Sequence, residues 1–130
     1  MIDIRPTAVR FETVQPGITT RHCFSSGAHY DPAHIAFGPL IALDEHALAP
    51  GAGFGRHAHR GVEILSWVLS GTLHHEDTAG RVELVRPGTL AFRGLAIGVA
   101  FFNRADSHRT CRAFQSSGGA NICRCALGRI

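Results

Sequence analysis

The residues best suited to chemistry in this chain are the two imidazoles of His57-Ala58-His59 and the carboxylate of Glu63. In an extended strand, residues i and i+2 point to one face, roughly 6.5–7 Å apart along the backbone. Two imidazoles so placed can converge on a metal ion at about 2.0–2.2 Å from each nitrogen. The pattern predicts one strand over 57–69, and its parity adds Glu63, Leu65, Trp67 and Leu69 to the same face. A ligand-bearing end then grades into an apolar interior, as a small barrel with a site near its mouth requires. Glu63 is expected to serve as a hard anionic ligand, as a carboxylate holding an imidazole, or as a general base. Gly51, Gly53 and Gly55 let the backbone enter the strand sharply. The competing reading of a bare His-x-His is two exposed histidines on a turn-flanked strand.

The elements around this pair read as short strands. A chain of 130 residues and 14.0 kDa suits one domain with a single core. At 45% hydrophobic and 18% charged, it is neither a disordered chain nor a coiled coil. The Pro16-Gly17 turn predicts two strands, over Phe11–Val14 and Ile18–Phe24. A third is expected to begin after Gly38-Pro39 and end at Asp44-Glu45. Downstream, strands are expected over Thr72–Glu76, Arg81–Val85 and Thr89–Phe92. Ser70-Gly71, Asp77-Thr78-Ala79-Gly80 and Pro87-Gly88 supply the turns. Strands at this spacing indicate a sandwich or barrel, with no helix between 54 and 92.

Charge and cysteine divide the chain unevenly. Residues 1–92 hold seven Arg against nine acidic residues, whereas residues 93–130 hold six Arg and one Asp. Every positive side chain is Arg. A basic end can bind phosphate backbones, but no nucleic-acid-binding motif accompanies it, so a nucleic-acid partner is not expected. Cys123-x-Cys125 is too tight for the usual zinc pairing, and reduced thiols are the expectation for a cytoplasmic chain. The longest apolar run, Leu95–Phe102, is too short for a membrane helix, and Met1–Pro6 lacks signal-peptide character. A soluble cytoplasmic protein without a membrane partner is the expectation.

Gly51-x5-His57-x-His59-x3-Glu63, followed by Gly71, resembles the first cupin motif. The longer run Gly53-Phe54-Gly55-Arg56-His57-Ala58-His59-Arg60-Gly61-Val62-Glu63-Ile64 is more specific. With Trp67–Asp77, Arg86-Pro87-Gly88, Phe24-Ser25-Ser26-Gly27 and Tyr30-Asp31-Pro32, it is similar to pirins and bacterial pirin-like proteins over roughly residues 5–90. The resemblance implies an all-β fold, a single cupin (RmlC-like jelly-roll) β-barrel. It further implies a divalent metal cation, often iron, and chemistry of the quercetin 2,3-dioxygenase type on a small aromatic, flavonol-like substrate. Some relatives instead act as redox-responsive transcriptional co-regulators.

The family takes its metal ligands from the His-x-His strand, here His57 and His59, and from a His-x-Glu motif some forty residues later. Phe101-Phe102-Asn103 stand at that distance in this chain. Phe cannot ligate a metal, and Asn offers only a neutral carbonyl oxygen. The expected site is therefore incomplete and its metal weakly bound. Glu63 is the first substitute donor, and His74 or His75 the next. His22, His29, His34 and His108 have no supporting spacing. Residues 1–92 are expected to form the pirin-like core, and 93–130 a divergent basic segment completing or trailing the barrel. Lys-free, Arg- and Cys-rich sequence beyond residue 90 is also what a shifted reading frame of GC-rich DNA yields. Val62, Ile64 and Val68, on the strand's other face, are expected to pack against a second sheet or a partner chain, which leaves a homodimer open.

Overall fold

The computed structural model describes residues 4–93, 97–105 and 111–118. Among the described residues there are ten strands: β1 (Phe11–Gln15), β2 (Ile18–His22), β3 (Leu40–Leu48), β4 (Gly53–Arg60), β5 (Glu63–Ser70), β6 (Leu73–Asp77), β7 (Val82–Val85), β8 (Leu90–Arg93), β9 (Ile97–Ala105) and β10 (Cys111–Gly118). A 3-10 turn at Thr7–Val9 is the only helical element among the described residues. Six strands form one sheet in the order β1-β2-β3-β10-β5-β8, and four form a second in the order β4-β9-β6-β7. Their strand pairs are antiparallel.

A single apolar cluster joins the two sheets. Ile18, Leu48, Val68, Ala91, Cys111 and Ala113 come from the larger sheet, and Leu73, Val85 and Ala105 from the smaller. Arg93 adds a polar tie: its Nε donates to His75 Nε2 at 3.0 Å, and its guanidinium pairs with Glu83. The segment after residue 93 contributes interior strands, with β9 lying between β4 and β6 and β10 between β3 and β5.

Several expected boundaries move: β2 ends at His22 rather than Phe24, and β4 begins at Gly53 rather than His57. The strand anticipated over 57–69 is two strands in different sheets. Gly61, at φ +66°, turns the chain out of β4 before β5 starts in the larger sheet. The crossing resets the parity. Leu65 is buried as expected, but Ile64 and Val68 are buried too, while Trp67 and Leu69 are exposed, contrary to the inward placement expected of them. Strand β3 also runs past Asp44-Glu45 to Leu48. Both carboxylates are tolerated in mid-strand because each has a partner, His22 for Asp44 and Arg10 for Glu45.

The Pro16-Gly17 turn forms as expected, with Gly17 at φ +73°. A methyl group there would stand 2.7 Å from the Ala52 Cβ. Gly17→Ala should therefore cost about 1–3 kcal/mol from the left-handed backbone and the overlap together. Urea unfolding measures it, and an unchanged midpoint would contradict the strain.

Burial pushes the Cys111 thiol up to about 11, and burial raises that of Cys23 as well. Since the thiolate is the nucleophile, neither should react with iodoacetamide at pH 8 until the fold is opened by denaturant. Peptide mapping by mass spectrometry reads this directly, and labelling of native Cys111 would refute the packing. No helix among the described residues is long and apolar enough to cross a membrane.

Candidate metal centre

The site is built where two inward ladders meet. On β2 and β3 the register pairs are Ile18 with Leu48, Thr20 with His46, and His22 with Asp44. Ile18 and Leu48 belong to the core, so successive rungs pass from apolar to polar along the barrel. The opposite wall comes from β4. There Phe54 pairs with Asn103 and His57 with Phe101, so one extra residue is accommodated between positions 54 and 57. In a regular strand, positions three apart face opposite sides. The bulge removes that alternation and lets Phe54, His57 and His59 line one cavity. Ala42, Asp44, His46 and Ile64 complete its wall, and its volume is about 170 Å³.

His57 and His59 both line the cavity. The rings of His57 and His59 lie 4.7 Å apart between centroids, at 69° to one another. His57 Nδ1 donates to the Gly55 carbonyl at 2.7 Å, which fixes the ring and leaves Nε2 as the electron-pair donor. Burial, and secondarily the neighbouring His57, lowers the pKa of His59. Its neutral form, the one able to ligate, is thereby favoured.

Asp44 and His46 also line the cavity, and no motif in the sequence marks them. Asp44 Oδ1 accepts from His22 Nδ1 at 2.9 Å, and the far nitrogen of that ring is bonded to the Thr13 hydroxyl at 2.9 Å. Burial raises the Asp44 carboxyl above its usual range, against the opposing pull of His22. His46 shares a 2.9 Å hydrogen bond between its Nδ1 and the Thr20 hydroxyl, and meets the Phe54 ring edge-on at 4.8 Å. The available signal was the period-two run Ala42-x-Asp44-x-His46-x-Leu48, which was cut short by ending the strand at Asp44-Glu45.

The other expected donors lie elsewhere. Glu63 opens β5 opposite Gly118 and is not among the residues lining the cavity. Its Oε2 is buried without a hydrogen-bond partner among the described residues. His75 is buried and bound by Arg93. His74 is likewise outside the cavity lining. His29 stacks on Phe11 at 4.1 Å, and His34 pairs with Asp31. His22 stands behind Asp44, and His108 lies outside the described residues. Among the described residues, no group of three or more His, Cys, Asp or Glu side chains is arranged to hold a metal ion.

An antiparallel double sheet with a His-x-His pair lining an open cavity is the arrangement of the cupin class. An RmlC-like cupin from Shewanella frigidimarina has the same fold, with a TM-score of 0.66 at 14% identity over 94% of this chain and 95% of the other. The Pirin family pattern matches residues 5–116, and the chain belongs to that family. The match continues well beyond residue 90, where the resemblance was expected to fade. A Mycobacterium tuberculosis protein provisionally named a quercetin 2,3-dioxygenase is 36% identical over 82% of this chain and 43% of its own length. The quercetin 2,3-dioxygenase of Escherichia coli K12 is 32% identical over 76% of this chain and 43% of its own. The bacterial pirin YhhW from E. coli, in complex with nickel(II), superposes with a TM-score of 0.84 at 27% identity, over 90% of this chain and 51% of that one. The chain spans about half the length of these pirin relatives.

Proposed function

We propose that this chain is a metal-binding pirin module of the quercetin 2,3-dioxygenase lineage. It holds a first-row divalent cation, iron among them, weakly through His57 and His59. The observation carrying this reading is the 4.7 Å imidazole pair at the cavity, with Phe101 as the direct register partner of His57. A His at position 101 and a Glu at 103 are the remaining ligands in the pirin pattern. Imidazole donors suit iron, nickel, copper and zinc alike. Such an ion, when bound, would supply Lewis-acid polarisation of a substrate oxygen. The chain's own contribution is to orient His57 through Gly55 and to keep His59 neutral. Phe54 and Ile64 offer apolar surface to a ring.

With two protein donors, oxidation of quercetin should fall well below the median enzyme turnover of about 10 s⁻¹. The lack of a three-donor group among the described residues favours a second reading, a catalytically silent module acting as a co-regulator. Metal analysis of purified wild type beside His57→Ala and His59→Ala tests the first. Wild type should retain a fraction of an equivalent and both variants none. Equal, near-zero content in all three would remove it, and a fast metal-dependent quercetin oxidation would remove the weak-site reading.

A further inference from the structure

The wall of the cavity opposite the imidazole pair has an organisation of its own. Asp44 Oδ1 is held by His22, whereas Oδ2 makes no hydrogen bond among the described residues although Asp44 lines the cavity. A carboxylate has about four acceptor positions, so Asp44 retains capacity for a donor entering that space. Its orientation is fixed in advance, because Thr13, His22 and Asp44 form one hydrogen-bonded row from β1 through β2 to β3. The same cavity is lined by Phe54 and Ile64, and the Phe54 ring packs against His46 in a T-shaped pair. One hydrogen-bond acceptor against an aromatic and an aliphatic surface is the complement of a hydroxyl on an aromatic ring. The volume of about 170 Å³ sets the size. It lies under the roughly 300 Å³ at which pockets for drug-sized ligands begin, a size suited to a single ring.

We propose that Asp44, backed by His22, and the neighbouring Phe54 and Ile64 form a metal-independent subsite for a single-ring hydroxyaromatic, a phenol or catechol. The carboxylate accepts a hydrogen bond from the ring hydroxyl. The ring lies between Phe54 and Ile64, with its remaining edge toward His57 and His59. This rests on the cavity being the ligand site of the pirin reading, but it does not need a bound metal. Burial disfavours the charged carboxylate, consistent with a group that gains from a donor in the cavity.

The test is titration of EDTA-treated protein with catechol, followed by NMR chemical shifts, with toluene as the ring lacking a hydroxyl. Catechol should bind wild type at least tenfold more tightly than toluene. Asp44→Asn, which keeps the shape and an acceptor for His22, should weaken catechol about tenfold and leave toluene unchanged. The His57→Ala/His59→Ala double variant should hold catechol within about threefold of wild type. Equal affinities for catechol and toluene in wild type would overturn the subsite, as would an Asp44→Asn variant that binds catechol like wild type. Equilibrium dialysis with nickel(II) separates the two readings. Nickel retained by Asp44→Asn and lost by the double variant supports the metal pair whatever catechol does. Catechol binding in a wild type that takes up no nickel leaves the subsite standing alone.

Discussion

Replacing Phe101 with His and Asn103 with Glu should give the proposed His57 and His59 pair the partners for tight metal binding. Position 101 is the register partner of His57, and position 103 that of Phe54, two residues along the same strand. Directly opposed residues in an antiparallel pair lie about 4.5–5.5 Å apart at Cβ and share a face. A ligand placed at 101 is thus introduced beside an imidazole whose orientation Gly55 already sets. Four-ligand zinc sites supply roughly 10–16 kcal/mol, about 3 kcal/mol for each donor. Each added donor should then raise affinity on the order of 100-fold. Nickel(II) titration calorimetry would show the gain, with Phe101→His alone intermediate and addition of His57→Ala abolishing it. A well-folded double variant with wild-type affinity would show that β9 does not present these positions to the imidazole pair.

The largest stability effect should come from Leu48→Ala. Leu48 is 1% exposed and lies between Ile18 on β2 and Cys111 on β10 in the register of the larger sheet. It belongs to the cluster that joins the sheets, so a cavity there has neighbours from several strands and little room to collapse. Buried Leu→Ala substitutions cost about 2–5 kcal/mol. A total stability of roughly 5–15 kcal/mol leaves little reserve. At roughly 4 °C per kcal/mol for this chain length, Tm should fall by about 8–20 °C. Leu84 on β7 is 53% exposed, and Leu84→Ala should stay within about 0.5 kcal/mol of wild type. Equal shifts for the two variants would mean that the cluster does not hold the sheets together.

Much of the architecture is written locally. Turn chemistry at Pro16-Gly17, Gly38-Pro39 and Asp77–Gly80 marks strand ends because backbone preference acts over three or four residues. The structure follows it there: Gly80 N donates to Asp77 O at 3.0 Å, and Asp77 Oδ1 accepts from Ala79 and Arg81. His57 and His59 share the cavity because a separation of two is the period of the strand. Glu63 illustrates the limit of that rule. Its spacing from His59 places it on the same face only if the strand is unbroken, and Gly61 breaks it. Asp44 was equally hidden, since a carboxylate in mid-strand looks like a strand end until its partner His22, on another strand, is known.

The amino-acid sequence by itself determined a sandwich or barrel of short strands and set His57 and His59 at the strand period, because these depend on turn chemistry and periodicity that neighbouring residues carry between them; the family came from the resemblance of the Gly53–Ile64 run and its companion motifs. Only the tertiary structure decided which carboxylate reaches the cavity, that a bulge brings Phe54 to the side of His57 and His59, and that Phe101 lies across from His57. Those outcomes are set by strand register and by which sheet a strand joins. Both arise from pairing between residues tens of positions apart, where a shift of one residue exchanges the inside of the barrel for the outside.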